Sequence, residues 1–242
     1  MPPRPPEPAA STDGRVRPEP HGEALVEFAY GTAHDFSNFL QIIMGFAEFM
    51  KSQHKDNPEV MECVEEILTA SQRAKAMVGD LLVVGRRNPP HPEPVDVRPV
   101  LQQAVERAQG QVNPAVRIDL AVDSAPQSAI LEPSSLERML LLLCAFAATG
   151  MPEGGVIRVR AAADAERLRV SVQQPGEGVD ADTARRLCEP FYMKRTHHRG
   201  TGLELAVVAS LTEQQGGAVE VESAPGQGVT VYLSFPTARK DT

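Results

Sequence analysis

Apolar side chains recur at alternating steps of four and three residues along residues 22–53, and this spacing constrains the fold more than any other feature of the chain. Such steps keep side chains on one side of an α-helix, because a helix turns once in about 3.6 residues. The segment is therefore predicted to be one long helix with a packed apolar stripe. The stripe consists of Leu25, Ala29, Thr32, Phe36, Phe39, Ile43, Phe46 and Met50.

A second helix is predicted to begin at Asn57-Pro58 and to run to about residue 86. Asparagine is a favoured N-cap, and proline is a favoured first helical residue. Two amphipathic helices joined by a short polar link form an antiparallel hairpin. One hairpin leaves more apolar surface than it covers, so two chains are predicted to pair as a four-helix bundle. The second stripe consists of Val60, Val64, Ile67, Ser71, Ala74, Val78 and Leu81.

The proline-rich segment Asn88–Pro94 predicts a stiff linker and a domain boundary. Beyond it, helical segments alternate with strands of period two, which favours helices on one face of a mixed sheet. The fold class is therefore predicted as α+β, a dimeric four-helix-bundle hairpin followed by an α/β sandwich. We expect a disordered proline-rich tail at 1–21, the hairpin at 22–87 and the sandwich at 95–238. Helices are expected at about 98–109, 133–150 and 201–216, and strands at 116–122, 156–160, 168–172, 218–221 and 229–233.

Composition narrows the class of protein. The formal net charge of -8 argues against a nucleic-acid surface. The three cysteines are widely spaced, without a metal-ligand pattern, and suit a reducing cytoplasm. No apolar run of membrane-spanning length is present in the sequence. These features predict a soluble cytoplasmic protein that binds neither nucleic acid nor membrane.

Three chemically active residues lie off the first helical stripe. His34, Asp35 and Asn38 place a nucleophile, a base and a water-positioning amide on one helix face, because residues four apart are neighbours on a helix. We predict that these three residues are catalytic.

The segment His34-Asp35-Phe36-Ser37-Asn38-Phe39-Leu40 resembles the phosphoacceptor box of bacterial two-component histidine kinases. Five later landmarks follow in the order of that family, and five ordered motifs are far more specific than one glycine-rich loop. The resemblance covers about residues 22–237 and implies a phosphoacceptor hairpin plus a catalytic domain that binds ATP with Mg²⁺. The landmarks are the N-box helix from Glu132 to Gly155, the glycine boxes Gly176-Glu177-Gly178, Gly200-Thr201-Gly202 and Gly226-Gln227-Gly228, and the F box Glu189-Pro190-Phe191-Tyr192.

Four positions depart from the family pattern. Phe146 and Leu142 replace the two asparagines of the N-box helix, one of which binds Mg²⁺ in the family, and a phenyl ring offers no oxygen ligand. Gln174 replaces the aspartate that accepts from adenine, and Glu204 adds a carboxylate to the second glycine box. We therefore expect no metal ligand and doubtful binding of ATP and Mg²⁺. The candidate nucleotide-binding residues are Gln174, Gly176, Gly178, Arg195, Gly200 and Gly202.

Two features are open to more than one interpretation. The basic segment from Lys194 to Arg199, with His197 and His198, suits either phosphate binding or a solvated loop. The glycines of the three boxes suit either a ligand or tight turns.

Three functions remain open at this stage. In the first, His34 passes phosphoryl groups to or from the aspartate of a response-regulator receiver, without making them from ATP. In the second, the chain is an ATP-dependent autokinase with a divergent pocket. In the third, it is a non-enzymatic scaffold for receivers. The implied partners are a receiver domain, an upstream kinase or sensor, and a second copy of the chain.

Overall fold

The computed structural model describes residues 23–84, 91–123, 128–164, 166–192 and 201–237, with the backbone alone at 23–32 and 34. The predicted tail at 1–21 lies outside these residues. The helices are α1 Glu23–Gln53, α2 Pro58–Val84, α3 Val97–Gln109, α4 Pro133–Thr149, α5 Ala181–Arg186 and α6 Glu204–Gln214. The strands are β1 Glu93–Asp96, β2 Val116–Val122, β3 Ser128–Leu131, β4 Gly155–Ala163, β5 Arg167–Gln174, β6 Ala218–Ser223 and β7 Val229–Pro236.

The helices α1 and α2 form the predicted antiparallel hairpin. Ala33 near the start of α1 packs with Val78 near the end of α2, and Ala47 packs with Val64. Asn57 caps α2 as expected, since its Oδ1 accepts from the Val60 N–H at 3.3 Å. No helix among the described residues is long and apolar enough to cross a membrane.

The apolar stripe of α1 does not face α2 within one chain. Ala33, Leu40 and Ala47 pack against α2 instead, and the two alanines have small side chains that let the helices approach. The large residues of the predicted stripe stay exposed within one chain, at 61% for Phe39 and 69% for Phe46. In α2 the predicted stripe is buried at Val64, Ser71 and Val78, but Leu68 replaces the exposed Ile67.

The second half of the chain is the predicted mixed sheet with helices on one face. Its strand order is β2-β4-β5-β7-β6, with β2 parallel to β4 and the other neighbours antiparallel. Alternate residues of β7 are buried, as its period of two predicts. Helices α3, α4 and α6 cover the sheet, and one continuous apolar core lies between the two layers.

Three short elements escaped the sequence analysis. Strands β1 and β3 pair antiparallel, so the predicted linker already becomes strand at Glu93 and Pro94. Helix α5 begins after Asp180, whose carboxylate accepts from the Thr183 N–H at 2.8 Å. Elements of four to six residues carry too little periodicity to be recognised in a sequence.

The end of α2 is fixed to the helical layer of the sheet domain. The Val83 carbonyl accepts from Ser210 Oγ at 3.1 Å and from Gln214 Nε2 at 3.2 Å, both on α6. Asp80 accepts from Arg138 Nη2 of α4 at 2.6 Å. Burial raises the pKa of the Asp80 carboxyl, while the Arg138 hydrogen bond and charge act to lower it. The hairpin and the sheet domain are therefore joined by polar contacts.

Candidate functional site

His34 lies in α1, next to a residue that fixes the helix against α2. Ala33 is buried against Val78, whereas Asp35 and Asn38 are exposed. Asn38 follows His34 by one helical turn. The backbone thus brings the three predicted catalytic residues onto adjacent turns of α1, and the two whose side chains are described are accessible.

A core side chain stands at the position of the N-box helix where the family resemblance implies a metal ligand. Phe146 in α4 is only 6% exposed and belongs to the main apolar core. Leu142, one turn earlier, is half-buried against the same core. Among the described residues, no three side chains of the His, Cys, Asp or Glu type come together in a group that could hold a metal ion.

Gln174, the last residue of β5, lies over the C-terminal end of α4. Its side chain approaches Gly150 so closely that a Cβ there would overlap the Gln174 amide. The Gln174 Oε1 atom is buried and has no hydrogen-bond partner among the described residues. A buried acceptor that lacks a donor is costly, and it is the kind of atom that a ligand amino group satisfies.

Two predicted ligand glycines are packed against backbone. Gly178 has φ +67°, and a Cβ there would overlap the Ala224 carbonyl. Gly228 is packed in the same way against the carbonyl of Gln174. A Cβ added at Gly176 would meet only Gln174 Nε2 among the described residues, at 3.9 Å. The first and third glycine boxes therefore hold two turns together, so tight packing explains Gly178 and Gly228 but not Gly176.

A glutamate of the second glycine box accepts hydrogen bonds from the backbone of the same box. The Glu204 carboxylate accepts from the Thr201 N–H at 2.7 Å and from the Gly202 N–H at 2.9 Å. Thr201 Oγ1 accepts from the Leu203 N–H at 3.2 Å. The Gly202 carbonyl in turn accepts from the N–H of Phe191, a residue with the strained φ of +62°. The predicted binding residues Arg195 and Gly200, and the basic segment around them, lie outside the described residues.

Comparison with known families identifies both halves of the chain. Residues 24–90 match the His Kinase A (phospho-acceptor) domain. Residues 132–239 match the family of histidine kinase-, DNA gyrase B- and HSP90-like ATPases. The chain belongs to the two-component histidine kinase family. The family resemblance predicted from the sequence is confirmed, as is the fold of a phosphoacceptor hairpin followed by an ATPase-type α/β domain.

Individual relatives agree with this assignment. This histidine kinase homologue is 30% identical over 232 residues to the sensor kinase CckA of Brucella abortus, covering 88% of this chain and 24% of CckA. It is also 30% identical to the sensor histidine kinase ZraS of Klebsiella oxytoca, covering 90% of this chain and 48% of ZraS. The chain thus spans about a quarter to a half of the length of these curated relatives.

Solved structures show the same architecture. The full-length kinase ShkA, solved in complex with AMPPNP, superposes with a TM-score of 0.76 at 27% identity, covering 88% of this chain and 47% of ShkA. The mycobacterial sensor histidine kinase MprB superposes with a TM-score of 0.53 at 25% identity, covering 62% of this chain and 99% of the MprB chain.

The ATPase-type fold is present, but two of its binding positions do not fit Mg·ATP. Mg²⁺ requires oxygen ligands, and the buried Phe146 ring supplies none. A phosphate binds to backbone N–H groups at helix N-termini, and here Glu204 already holds two of them. Gln174 keeps a buried acceptor oxygen without a partner among the described residues.

Sequence reasoning missed the contacts that join this site to the hairpin. Asp80, Arg138 and Val83 appeared only as members of helices. An aspartate inside the apolar run Met77–Val84 is a signal that could have been noticed, because a buried carboxylate needs a partner. The orientation of Glu204 had no comparable signal.

We predict that alanine at Gly178 destabilises the protein more than alanine at Gly226. Both glycines have positive φ, +67° and +79°, so each substitution adds left-handed strain of about 1–2 kcal/mol. Gly226 has no atom within 4 Å of an added Cβ, whereas at Gly178 the Ala224 carbonyl must move, which costs about 1–3 kcal/mol more. Urea unfolding of both variants measures the difference, and equal losses would contradict the packing role of Gly178.

Proposed function

We propose that this chain passes phosphoryl groups through His34 to or from the aspartate of a response-regulator receiver. The observation that supports it most is the position of the acceptor box. Asp35 and Asn38 lie exposed beside His34 on the part of α1 that does not pack against α2. A receiver domain can reach this surface, and an upstream kinase or sensor would supply the input.

The roles of the three residues follow from their chemistry. The His34 imidazole attacks the phosphorus of the receiver's acyl phosphate, so that an N–P bond forms and the O–P bond to the aspartate breaks. Asp35 accepts the ring proton or fixes the tautomer. In a separate reaction, Asn38 holds the water that hydrolyses the phosphate of the receiver. In the opposite direction of transfer, His34 gives the phosphoryl group to a receiver aspartate.

ATP-dependent autophosphorylation is proposed to be weak. Phe146 is part of the core, and Glu204 occupies N–H groups that phosphate would need. Together these changes remove a metal ligand and add a competing charge, each worth about 1–3 kcal/mol. An affinity loss of this size lowers binding by about two decades or more.

An active autokinase is the second candidate, and one observation favours it. The chain matches the ATPase family over residues 132–239 and superposes on ShkA, which was solved with AMPPNP. In this alternative, Glu204 moves aside when nucleotide binds.

We predict that the His34→Ala variant takes up no phosphate from a phosphorylated receiver, because alanine offers no nitrogen with which the N–P bond could form. Asp35→Asn is expected to slow transfer by about 100-fold or more, and Asn38→Ala to impair mainly receiver dephosphorylation. Acid-labile label on the protein measures uptake. His54→Ala, an exposed histidine at the end of the same helix, is the matched control and keeps full uptake. Label on the His34→Ala variant would exclude His34 as the acceptor.

Labelled ATP separates the two candidate functions. With Mg²⁺ and no partner, we expect little or no label on His34 and millimolar affinity by calorimetry. Low-micromolar, Mg²⁺-dependent binding with labelled His34 would establish the autokinase instead. Phe146→Asn is a poor test of the metal position alone, since removal of a buried phenylalanine costs about 3–5 kcal/mol.

We also propose that the hairpin, at about 22–87, pairs with a second copy as a four-helix bundle, with the ATPase-type domain following at 95–238. The exposed face of α1 supports this proposal. Its large apolar residues are exposed within one chain, and a group of exposed apolar residues on one helix is typical of an interface. They are Phe36, Phe39, Ile42, Ile43, Phe46, Phe49 and Met50.

We predict that the full-length chain is a dimer at micromolar concentration and that Phe39→Glu with Phe46→Glu makes it monomeric. The two introduced glutamates would be buried at the interface without a positively charged partner, and this opposes association. Light scattering measures the mass, and circular dichroism is expected to stay unchanged because both residues are exposed within one chain. Gln41→Glu adds charge to an exposed polar position of α1 and leaves the dimer intact. A monomeric unmodified chain would contradict the bundle.

A further inference from the structure

The two carboxylate oxygens of Glu204 accept hydrogen bonds from two successive backbone N–H groups. Its Oε1 lies 2.7 Å from the Thr201 nitrogen, and its Oε2 lies 2.9 Å from the Gly202 nitrogen. The left-handed φ of +78° at Gly202 is a conformation that glycine adopts without strain. Consecutive N–H groups that converge in this way form an anion-binding concavity. The carboxylate is thus placed as a bound anion would be.

This contact differs from an ordinary helix cap. In a capping box, the third residue of a helix bonds back to the N–H of the N-cap residue. Glu204 is instead the first residue of α6, and its carboxylate reaches past the N-cap Leu203 to the two residues before it. Leu203 has no capping side chain of its own, so the glutamate also meets the positive end of the helix dipole.

Among the described residues, Glu204 forms no ion pair with a cation. Arg138 of α4 is paired with Asp80 of α2. The Glu204 charge acts on the Asp80 carboxyl across the gap, and it adds to the burial that raises the pKa of Asp80. A carboxylate that left the glycine box toward α2 would therefore approach another carboxylate. Repulsion between them favours the closed position while the hairpin is docked.

We propose that Glu204 is an internal competitor for phosphate, occupying the N–H groups of Thr201 and Gly202 so that a polyphosphate binds there only when the carboxylate is displaced. The ATPase-type fold would then hold its second glycine box in a state in which Glu204 takes the N–H groups of Thr201 and Gly202. The inference concerns the pocket alone and does not depend on phosphotransfer through His34.

Chemical rescue with inorganic pyrophosphate tests the proposal in the full-length protein. Glu204→Ala loses two charge-assisted hydrogen bonds, so its Tm is expected to fall by about 2–6 °C. Millimolar pyrophosphate then restores most of the loss, and calorimetry shows at least about tenfold tighter pyrophosphate binding than in the unmodified protein. Glu204→Gln keeps one acceptor oxygen and is expected to lie between the two.

Three comparisons make the test specific. Glu106→Gln removes the same charge from an exposed position on α3 and gains no pyrophosphate binding. Sodium chloride at equal ionic strength does not rescue Glu204→Ala. The rescue persists when His34→Ala is added, which separates it from the phosphotransfer proposal. A Tm loss without rescue would show that Glu204 only stabilises α6, and equal pyrophosphate binding by all proteins would place the anion elsewhere; either result overturns the proposal.

Discussion

The contact between the end of α2 and the sheet domain joins the two halves of the chain, and it combines the Val83 carbonyl with apolar side chains such as Val84 and Leu81. The last carbonyls of any helix lack partners within that helix and must find donors elsewhere. At the end of α2 the donors are Ser210 and Gln214 on α6, so the ATPase-type domain itself supplies the partners of this helix end. The Asp80–Arg138 pair adds a second polar contact one turn away. Through these bonds, the phosphoacceptor hairpin and the second glycine box share one helical interface.

The regular elements were predictable because their periodicity is strong. Alternation of three and four residues located α1 and α2, and period-two patterns located the five strands of the main sheet. The face of α1 that contacts α2 was not predictable, since Ala33 and Ala47 carry a weaker apolar signal than Phe39 or Phe46. Large side chains dominate a sequence pattern, whereas the α1 face in contact with α2 combines Leu40 with the small residues Ala33 and Ala47.

At the candidate site, too, some features followed from residue identity and others depended on tertiary contacts. Residue identity led to the predictions that Phe146 offers no metal ligand and that Glu204 brings a charge to the second glycine box, and both stay predictions. It was not enough to predict that Phe146 belongs to the core or that Glu204 folds back onto Thr201 and Gly202. Both outcomes depend on tertiary contacts, which a local motif does not contain. The packing of Gly178 against Ala224 likewise requires two turns that are distant in sequence.

The buried N-box helix has a consequence for the chemistry of sulfur in this chain. Cys144 lies in α4 two residues before Phe146, and burial raises its pKa to about 12; the buried Cys188 has a pKa of about 12 for the same reason. The thiolate is the reactive form, so both sulfurs are protected from alkylation and oxidation at neutral pH. Cys63, on α2, is exposed. A thiol-reactive probe should therefore modify the native protein selectively at the hairpin, where it can report on helix pairing without removal of any cysteine.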